Sequence, residues 1–193
     1  MKPSEYLETV LNIKLYSEII DTINREAVIV SLPLGHTVLH EGDMSSCLYL
    51  IIRGVVRGYY IDDKGNDITK CFCSENEFFS TEGFRMSVPS TFTIECLEDC
   101  QCVQLSYNLL NNIISTHKQL GDLASRYFQI EVSRLEQRSK SLMMLDAEER
   151  YYDFCQDYPY LHKRIALKYI ASYIGVRLAS LSRIRKKQKL SEN

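Results

Sequence analysis

The chain of 193 residues has no tryptophan, only four prolines and four histidines, and no long apolar run. No stretch approaches the roughly 20 apolar residues that a membrane-spanning helix needs. The N-terminus carries Glu5 and Glu8 where a signal peptide needs an uninterrupted apolar core, so we expect a cytoplasmic protein without membrane attachment. With 45% hydrophobic and 25% charged residues, the composition is that of a globular protein and not of a disordered one.

Paired cysteine motifs are also absent, although the chain has seven cysteines. Their number is odd, their spacing is irregular and no CxxC pair occurs, which favours reduced thiols over a disulfide framework. Thiolates bind zinc and iron–sulfur centres, and a redox or metal cluster could be built from Cys71, Cys73, Cys96, Cys100 and Cys102. Cysteines that alternate along strands are more often small buried hydrophobic residues.

The net charge of −2 conceals a polarised chain. Residues 162–193 contain nine Lys or Arg and one acid, a charge of +8, while the remainder carries 14 basic and 24 acidic residues, a charge of −10. A basic tail of this kind attracts a polyanion. Because the tail has no Trp or Phe to insert into a bilayer, nucleic acid is a better partner for it than an anionic membrane.

Within this tail, residues 167–187 have the spacing of two short helices that meet at a tight corner. Ala171 stands where the first helix must approach the second closely, and Gly175 follows at the position of the turn. An inner apolar face would be formed by Ile170, Ile174, Val176, Leu181 and Ile184. The pattern predicts a DNA-binding helix-turn-helix; the alternative is an ordinary amphipathic hairpin with a solvated basic end.

The outward face of this predicted motif suits phosphates and base edges. Its candidate DNA contacts are Arg177, Ser180, Ser182, Arg183, Lys186 and Lys187.

Three zones precede the tail. An apolar helical period over residues 4–24 predicts a leading helix. From 28 to 106, short β-forming segments at 28–34, 47–52 and 55–61 are followed by β-forming residues at 92 and 94 and again at 103 and 105. Turn residues such as Asp63-Lys-Gly65 separate the segments, which predicts an antiparallel barrel or roll.

From Tyr107 a helical period continues for about forty residues, to a break near Asp146. Two apolar stripes run along it, so one face could cover the roll while the other pairs with a second copy. We expect Leu123, Tyr127 and Ile130 in the dimer seam or against the roll.

The order of roll, long helix and helix-turn-helix resembles the Crp/Fnr family of bacterial transcription regulators over nearly the whole chain. The sensor half is similar in Gly35-His-Thr-Val-Leu-His-Glu-Gly-Asp43 and Leu48-Tyr-Leu-Ile-Ile-Arg-Gly54, and the output half in Ile170-Ala-Ser-Tyr-Ile-Gly175 and Leu181-Ser-Arg-Ile184. The implied fold is α+β: an N-terminal antiparallel β-roll of the double-stranded β-helix type (1–116), a long dimerisation helix (117–145) and a C-terminal helix-turn-helix domain (146–193).

The resemblance implies a homodimeric, sequence-specific regulator and no catalytic residues. Its partners would be double-stranded DNA and a small effector, with RNA polymerase as a further candidate. The roll departs from cyclic-AMP-binding members, in which a Gly-Glu pair holds the ribose and an Arg-Ser or Arg-Thr pair holds the phosphate. Ser80-Thr81 and Ser90-Thr91 stand at those positions, with Arg85 nearby as a weak substitute. The expected effector is therefore unidentified and not cyclic AMP.

Two further departures concern the cofactor and the operator. Oxygen-sensing members hold an iron–sulfur cluster on cysteines ahead of the roll, whereas the first cysteine here is Cys47, so no cofactor is assigned. Arg183 matches a base-reading arginine, but Leu178 and Ala179 stand where the cyclic-AMP receptor has an arginine and a glutamate. We expect an operator different from that receptor's site.

A rival interpretation is a cupin-type metal-dependent metabolic enzyme with an incidental basic tail. His36 and His40 with Glu41 suggest a metal site on the same kind of roll. A cupin also needs a second histidine motif in later strands, and residues 70–110 contain no histidine. We therefore expect no metal site.

Overall fold

The computed structural model describes residues 1–81 and 88–191, with side chains described to Lys187. The chain forms two compact units: the first contains residues 1–60 and 71–124, and the second contains residues 61–70 and those from 125 onward. Within the described part of the chain, no helix combines the length and the hydropathy that crossing a bilayer requires.

The first unit begins with two helices, α1 (Pro3–Leu11) and α2 (Ser17–Glu26). The prediction of one leading helix over residues 4–24 is wrong. Asn12 adopts the left-handed conformation with φ of 51° and ends α1, a role that Asn accepts more easily than most residues. The chain then turns, and α2 buries Ile19 and Ile23.

Eight strands follow within the described residues. They are β1 (Val28–Leu32), β2 (Thr37–Leu39), β3 (Cys47–Arg53), β4 (Val56–Ile61), β5 (Asp67–Cys73), β6 (Phe78–Phe79), β7 (Thr93–Cys96) and β8 (Cys100–Ser106). The predicted β-segments correspond to β1, β3, β4, β7 and β8. The sequence interpretation did not identify β2, β5 or β6, which are either very short or, in β5, interrupted by polar residues.

These strands form two four-stranded sheets, in the orders β1-β8-β3-β6 and β2-β7-β4-β5. Strands β3 and β8 are buried on both faces. Leu50 and Val103 face a core shared with α1 and α2, whereas the adjacent Ile51 and Cys102 face a second core that contains Phe92. Because successive side chains of a strand point to opposite faces, each of these strands contributes to both cores.

Helical segments follow from Tyr107 to the end of the described residues. They are α3 (Tyr107–Thr116), α4 (Lys118–Met144), α5 (Ala147–Asp157), a 3-10 turn (Leu161–Lys163), α6 (Leu167–Tyr173) and α7 (Leu178–Ser191). The helical period after Tyr107 is therefore divided between α3 and α4. His117 interrupts it with an extended backbone, φ −126° and ψ 96°. Helix α5 begins with a capping box, in which the Asp146 carboxylate accepts the Glu149 amide at 3.0 Å and the Glu149 side chain accepts the Asp146 amide at 2.8 Å.

The second unit has its own apolar core, built by α5, α6, α7 and the 3-10 turn. Its buried residues are Tyr151, Phe154, Leu161, Ile165, Ile170, Ala171, Ile174, Leu181 and Ile184.

Candidate nucleic-acid interface

Helices α6 and α7 meet at a tight turn centred on Gly175. Ala171 is 2% exposed, so the position predicted to need a small side chain is fully packed. Gly175 has φ of +70°, a conformation that glycine adopts without a Cβ penalty. The Val176 amide donates to the Ala171 carbonyl at 2.9 Å and closes the turn. The two helices are referred to below as the helical pair.

The inner face of the helical pair is apolar as predicted. Ile170, Ile174, Leu181 and Ile184 are all buried, and Val176 is half-buried. This packing fixes which side of α7 faces outward, since its remaining positions follow from the helical period.

The outward side of α7 carries most of the predicted DNA contacts. Arg177, Ser182, Arg183 and Lys186 are exposed, whereas Ser180 is half-buried. Ser182 Oγ donates to the Leu178 carbonyl at 3.0 Å, a bond within the helix. Arg183 and Lys186 are therefore exposed cations of α7, and Arg177 is an exposed cation directly before it.

Lys187 has a partner on the same unit. Its ammonium donates to both carboxylate oxygens of Glu148 in α5, each at 2.8 Å. This pairing raises the pKa of Lys187, so the ammonium stays charged but is partly neutralised by Glu148. Sequence reasoning did not identify Glu148, because the two residues are 39 positions apart.

Arg150 of α5 forms hydrogen bonds that hold the turn of the helical pair. Its Nε donates to the Ile174 carbonyl at 2.7 Å, and its Nη1 donates to the Leu145 carbonyl at 2.6 Å. The arginine therefore satisfies a carbonyl at the end of α6 and ties it to the segment before α5. No sequence signal distinguished this arginine from other surface cations.

The tip of the β4–β5 hairpin, taken here to include the first residues of β5, packs on α6. The Thr69 amide donates to Ser172 Oγ at 2.8 Å, and that hydroxyl donates to the Asp67 carbonyl at 3.1 Å. Thr69 is 0% exposed. The hairpin turn was predicted, but its contact with the helical pair was not.

Arg138 of α4 joins the same contact. One guanidinium nitrogen donates to the carbonyls of Thr69 and Tyr173, each at 3.0 Å. The guanidinium also lies 3.8 Å from the centre of the Tyr173 ring, which packs against Phe154 and Tyr158. This arrangement holds the end of α6 from two sides.

In the roll, two of the predicted effector-pocket hydroxyls are used internally. Ser80 Oγ donates to the Cys47 carbonyl at 2.9 Å and lies 3.0 Å from Ser45 Oγ. Ser90 is buried, and its hydroxyl donates to the Phe92 carbonyl at 2.6 Å. The Ser90 hydroxyl therefore stabilises a local turn, whereas the Ser80 hydroxyl joins its segment to the start of β3.

Thr81 differs from these two serines. It is 6% exposed, and its hydroxyl has no hydrogen-bond partner among the described residues. Thr91 is exposed, and Arg85 lies outside the described residues. The sequence interpretation overlooked Arg57, which is 2% exposed and forms an ion pair with Glu95 across the β4–β7 register.

The residues predicted for the dimer seam lie on α4. Leu123 and Tyr127 are half-buried, and Ile130 is 54% exposed. Other apolar side chains of α4 are also exposed in the single chain, namely Val132, Leu135, Leu142, Met143 and Met144.

The cysteines are free thiols, and three of them are core residues of the roll. Burial raises the pKa of Cys102 to about 12, and a hydrogen bond with Cys100, together with burial, raises that of Cys96. The thiolate is the reactive form, so these two buried groups are poor nucleophiles at neutral pH. Across residues 1–81 and 88–191, no three His, Cys, Asp or Glu side chains converge to hold a metal ion.

Residues 29–117 match the family model described as the cyclic nucleotide-binding domain. A curated relative is the cAMP-activated global transcriptional regulator CRP of Pasteurella multocida (strain Pm70), 22% identical over 119 residues. That alignment covers 61% of this chain and 57% of the relative's own length.

Solved structures resemble the chain over most of its length. FixK2 from Bradyrhizobium japonicum has a TM-score of 0.78 and 18% identity, covering 86% of each chain. The c-di-GMP responsive global regulator CLP of Xanthomonas campestris has a TM-score of 0.67 and 18% identity, covering 92% of this chain and 93% of its own. A crp/fnr family regulator from Eubacterium rectale has a TM-score of 0.73 and 14% identity, and the match covers 92% of this chain and 85% of that structure's chain. These similarities confirm the predicted fold class.

Proposed function

We propose that the chain is a homodimeric, sequence-specific DNA-binding transcription regulator. Two similarities support the proposal: residues 29–117 match the cyclic nucleotide-binding domain model, and the fold is similar to that of solved Crp/Fnr regulators. The observation that carries the proposal is the helical pair: a buried Ala171, a left-handed Gly175 and an outward face of exposed cations on α7. This combination suits a recognition helix in the major groove.

The proposed dimer places two copies of α7 on one face of the duplex. Exposed apolar side chains on α4 supply a surface that a second copy could cover. A two-fold protein reads two half-sites, so we expect a roughly palindromic operator with half-sites about one helical turn, ~34 Å, apart.

The roll is proposed to sense a small molecule other than cyclic AMP. Thr81 stands where cyclic-AMP-binding members have the glutamate that holds the ribose, and it has no carboxylate. Ser90 stands where they have the arginine that holds the phosphate, and its hydroxyl donates to the Phe92 carbonyl. The Thr81 hydroxyl, which has no hydrogen-bond partner among the described residues, is suited to a hydrogen bond with a neutral or differently shaped effector.

Mobility-shift titration of the full-length protein against a selected palindrome tests this function. Arg183→Ala should cost about 1–3 kcal/mol at one base position if its guanidinium contacts a guanine. Lys186→Ala should weaken binding to all sequences and flatten the salt dependence, since fewer counterions are released.

Lys118→Ala, which removes an exposed lysine of α4, is the matched control and should leave DNA affinity unchanged. Equal losses on specific and random duplexes for Arg183→Ala would remove its base-reading role. Absence of any salt-dependent DNA binding would reject the proposed function.

A further inference from the structure

The first turn of α7 exposes apolar side chains next to the basic ones. Leu178 is 47% exposed and Ala179 is exposed, and neither can donate or accept a hydrogen bond through its side chain. Leu178 is not part of the inner face, because that face is formed by Leu181 and Ile184, which are 0% and 8% exposed. Leu178 therefore presents about half of its apolar side chain to the solvent side of α7 and remains available for an external contact.

The position of Leu178 on α7 suggests what this contact could be. In a helix-turn-helix, residues near the N-terminus of the recognition helix meet the edges of the bases. Leu178 is the first residue of α7, one turn ahead of Ser182 and five residues ahead of Arg183. At 1.5 Å per residue the last separation is about 7.5 Å along the helix, or roughly two base steps.

The chemistry of the major groove narrows what such a residue can recognise. Guanine, cytosine and adenine present only hydrogen-bond donors and acceptors on that edge, whereas thymine adds a C5-methyl group. Burying a leucine against a donor or acceptor leaves the base group without its water, while contact with a methyl removes apolar surface from water on both sides.

We propose that Leu178 is a specificity-determining residue that reads a thymine through its methyl group, within about three base pairs of the base read by Arg183. This inference rests on the proposed function, since it requires α7 to enter the major groove. It explains how a recognition helix with an apolar first turn contributes to specificity there without a side-chain hydrogen bond.

The test uses the full-length protein and an operator selected from random duplexes. Each thymine pair of the palindrome is then replaced by deoxyuridine, which removes the methyl and keeps every hydrogen-bonding group. At one thymine position we expect affinity to fall about fourfold per half-site, the effect of one buried methyl. Leu178→Ala should bind more weakly and be insensitive to that replacement.

Lys186→Ala is the matched control: it should lose affinity on all duplexes but keep the sensitivity to deoxyuridine. When operators for Leu178→Asn are selected again from random duplexes, we expect adenine to replace thymine at that position alone, because a side-chain amide pairs best with adenine. Retained deoxyuridine sensitivity in Leu178→Ala, or an unchanged selected base for Leu178→Asn, would overturn the inference while leaving the proposed function intact. Failure to select any duplex would reject both.

Discussion

Gly54 occupies a position in the roll that only glycine fits, for two independent reasons. Its φ is +107°, outside the range of ordinary side-chain-bearing residues. A Cβ there would lie 2.6 Å from Cys100 Sγ and 2.9 Å from the Cys100 Cα, closer than packed atoms approach. Gly35 has a positive φ of +78° in the same unit but open space around it.

A comparison of Gly35 with Gly54 distinguishes the cost of backbone strain from the cost of steric overlap. We expect Gly35→Ala to lower the free energy of unfolding by about 1–2 kcal/mol, the cost of a left-handed alanine. Gly54→Ala should cost a further 1–3 kcal/mol or so, because the backbone of Cys100 must move. Denaturant unfolding of both variants measures the difference, and equal losses would show that the site relaxes freely.

Because of the residues at the proposed effector pocket, we expect that cyclic AMP and cyclic GMP do not bind at micromolar concentrations. On binding, the phosphate of a nucleotide would lose its water without gaining an arginine, because Ser90 stands at that position. The ribose hydroxyls would lose their water without gaining a carboxylate, because Thr81 stands at the other position. Each unmet contact costs about 1–3 kcal/mol, so two weaken binding by roughly a hundredfold or more.

Titration calorimetry decides this question. A micromolar isotherm that disappears in Arg85→Ala would place the phosphate contact at Arg85 and show that the serine and threonine positions were misassigned.

Among the elements, the β4–β5 hairpin tip and α6 form the contact that the sequence pattern least indicated. The Ser172 hydroxyl accepts from one backbone group of the hairpin and donates to another, as a neighbouring strand would. Arg138 adds a bond to the Thr69 carbonyl, so both polar backbone groups of this buried residue are satisfied.

Ser172→Ala leaves the buried Thr69 amide without its acceptor. We expect a loss of about 1–3 kcal/mol in the stability of the second unit and faster hydrogen exchange at the Thr69 amide. Ser182→Ala, which removes an exposed hydroxyl bonded within its own helix, should change stability by less than about 0.5 kcal/mol. Identical stability of the two variants would mean that another group takes over the Thr69 amide.

At the scale of the whole molecule, the proposed dimer depends on the apolar side of α4. Ile130→Asp would place a charge where a partner helix excludes water, and burying an unpaired charge is costly. We expect a folded monomer with weakened DNA binding, seen by sedimentation and circular dichroism. Gln129→Asp, a neighbouring exposed polar position, should remain dimeric. An intact Ile130→Asp dimer would move the interface elsewhere on the chain.

Much of the architecture follows from local sequence patterns. The apolar run of β3, for example, reflects side chains that must leave water on both faces of the strand. Ala171, Gly175 and the inner apolar residues of the helical pair were likewise identifiable, because a tight helix–turn–helix corner restricts residue size and backbone conformation locally.

The tertiary structure decided what depends on residues far apart in the chain. Glu148 beside Lys187, Arg150 at the Ile174 carbonyl, and Ser172 against the hairpin tip are contacts across 24 to 105 positions. Nothing in the periodicity of either partner indicates the other, since hydrogen bonds and ion pairs depend on distances that only folding sets. For the same reason, composition and spacing alone predicted a basic helix in the tail, whereas only the fold determined that its Lys187 is already paired with Glu148.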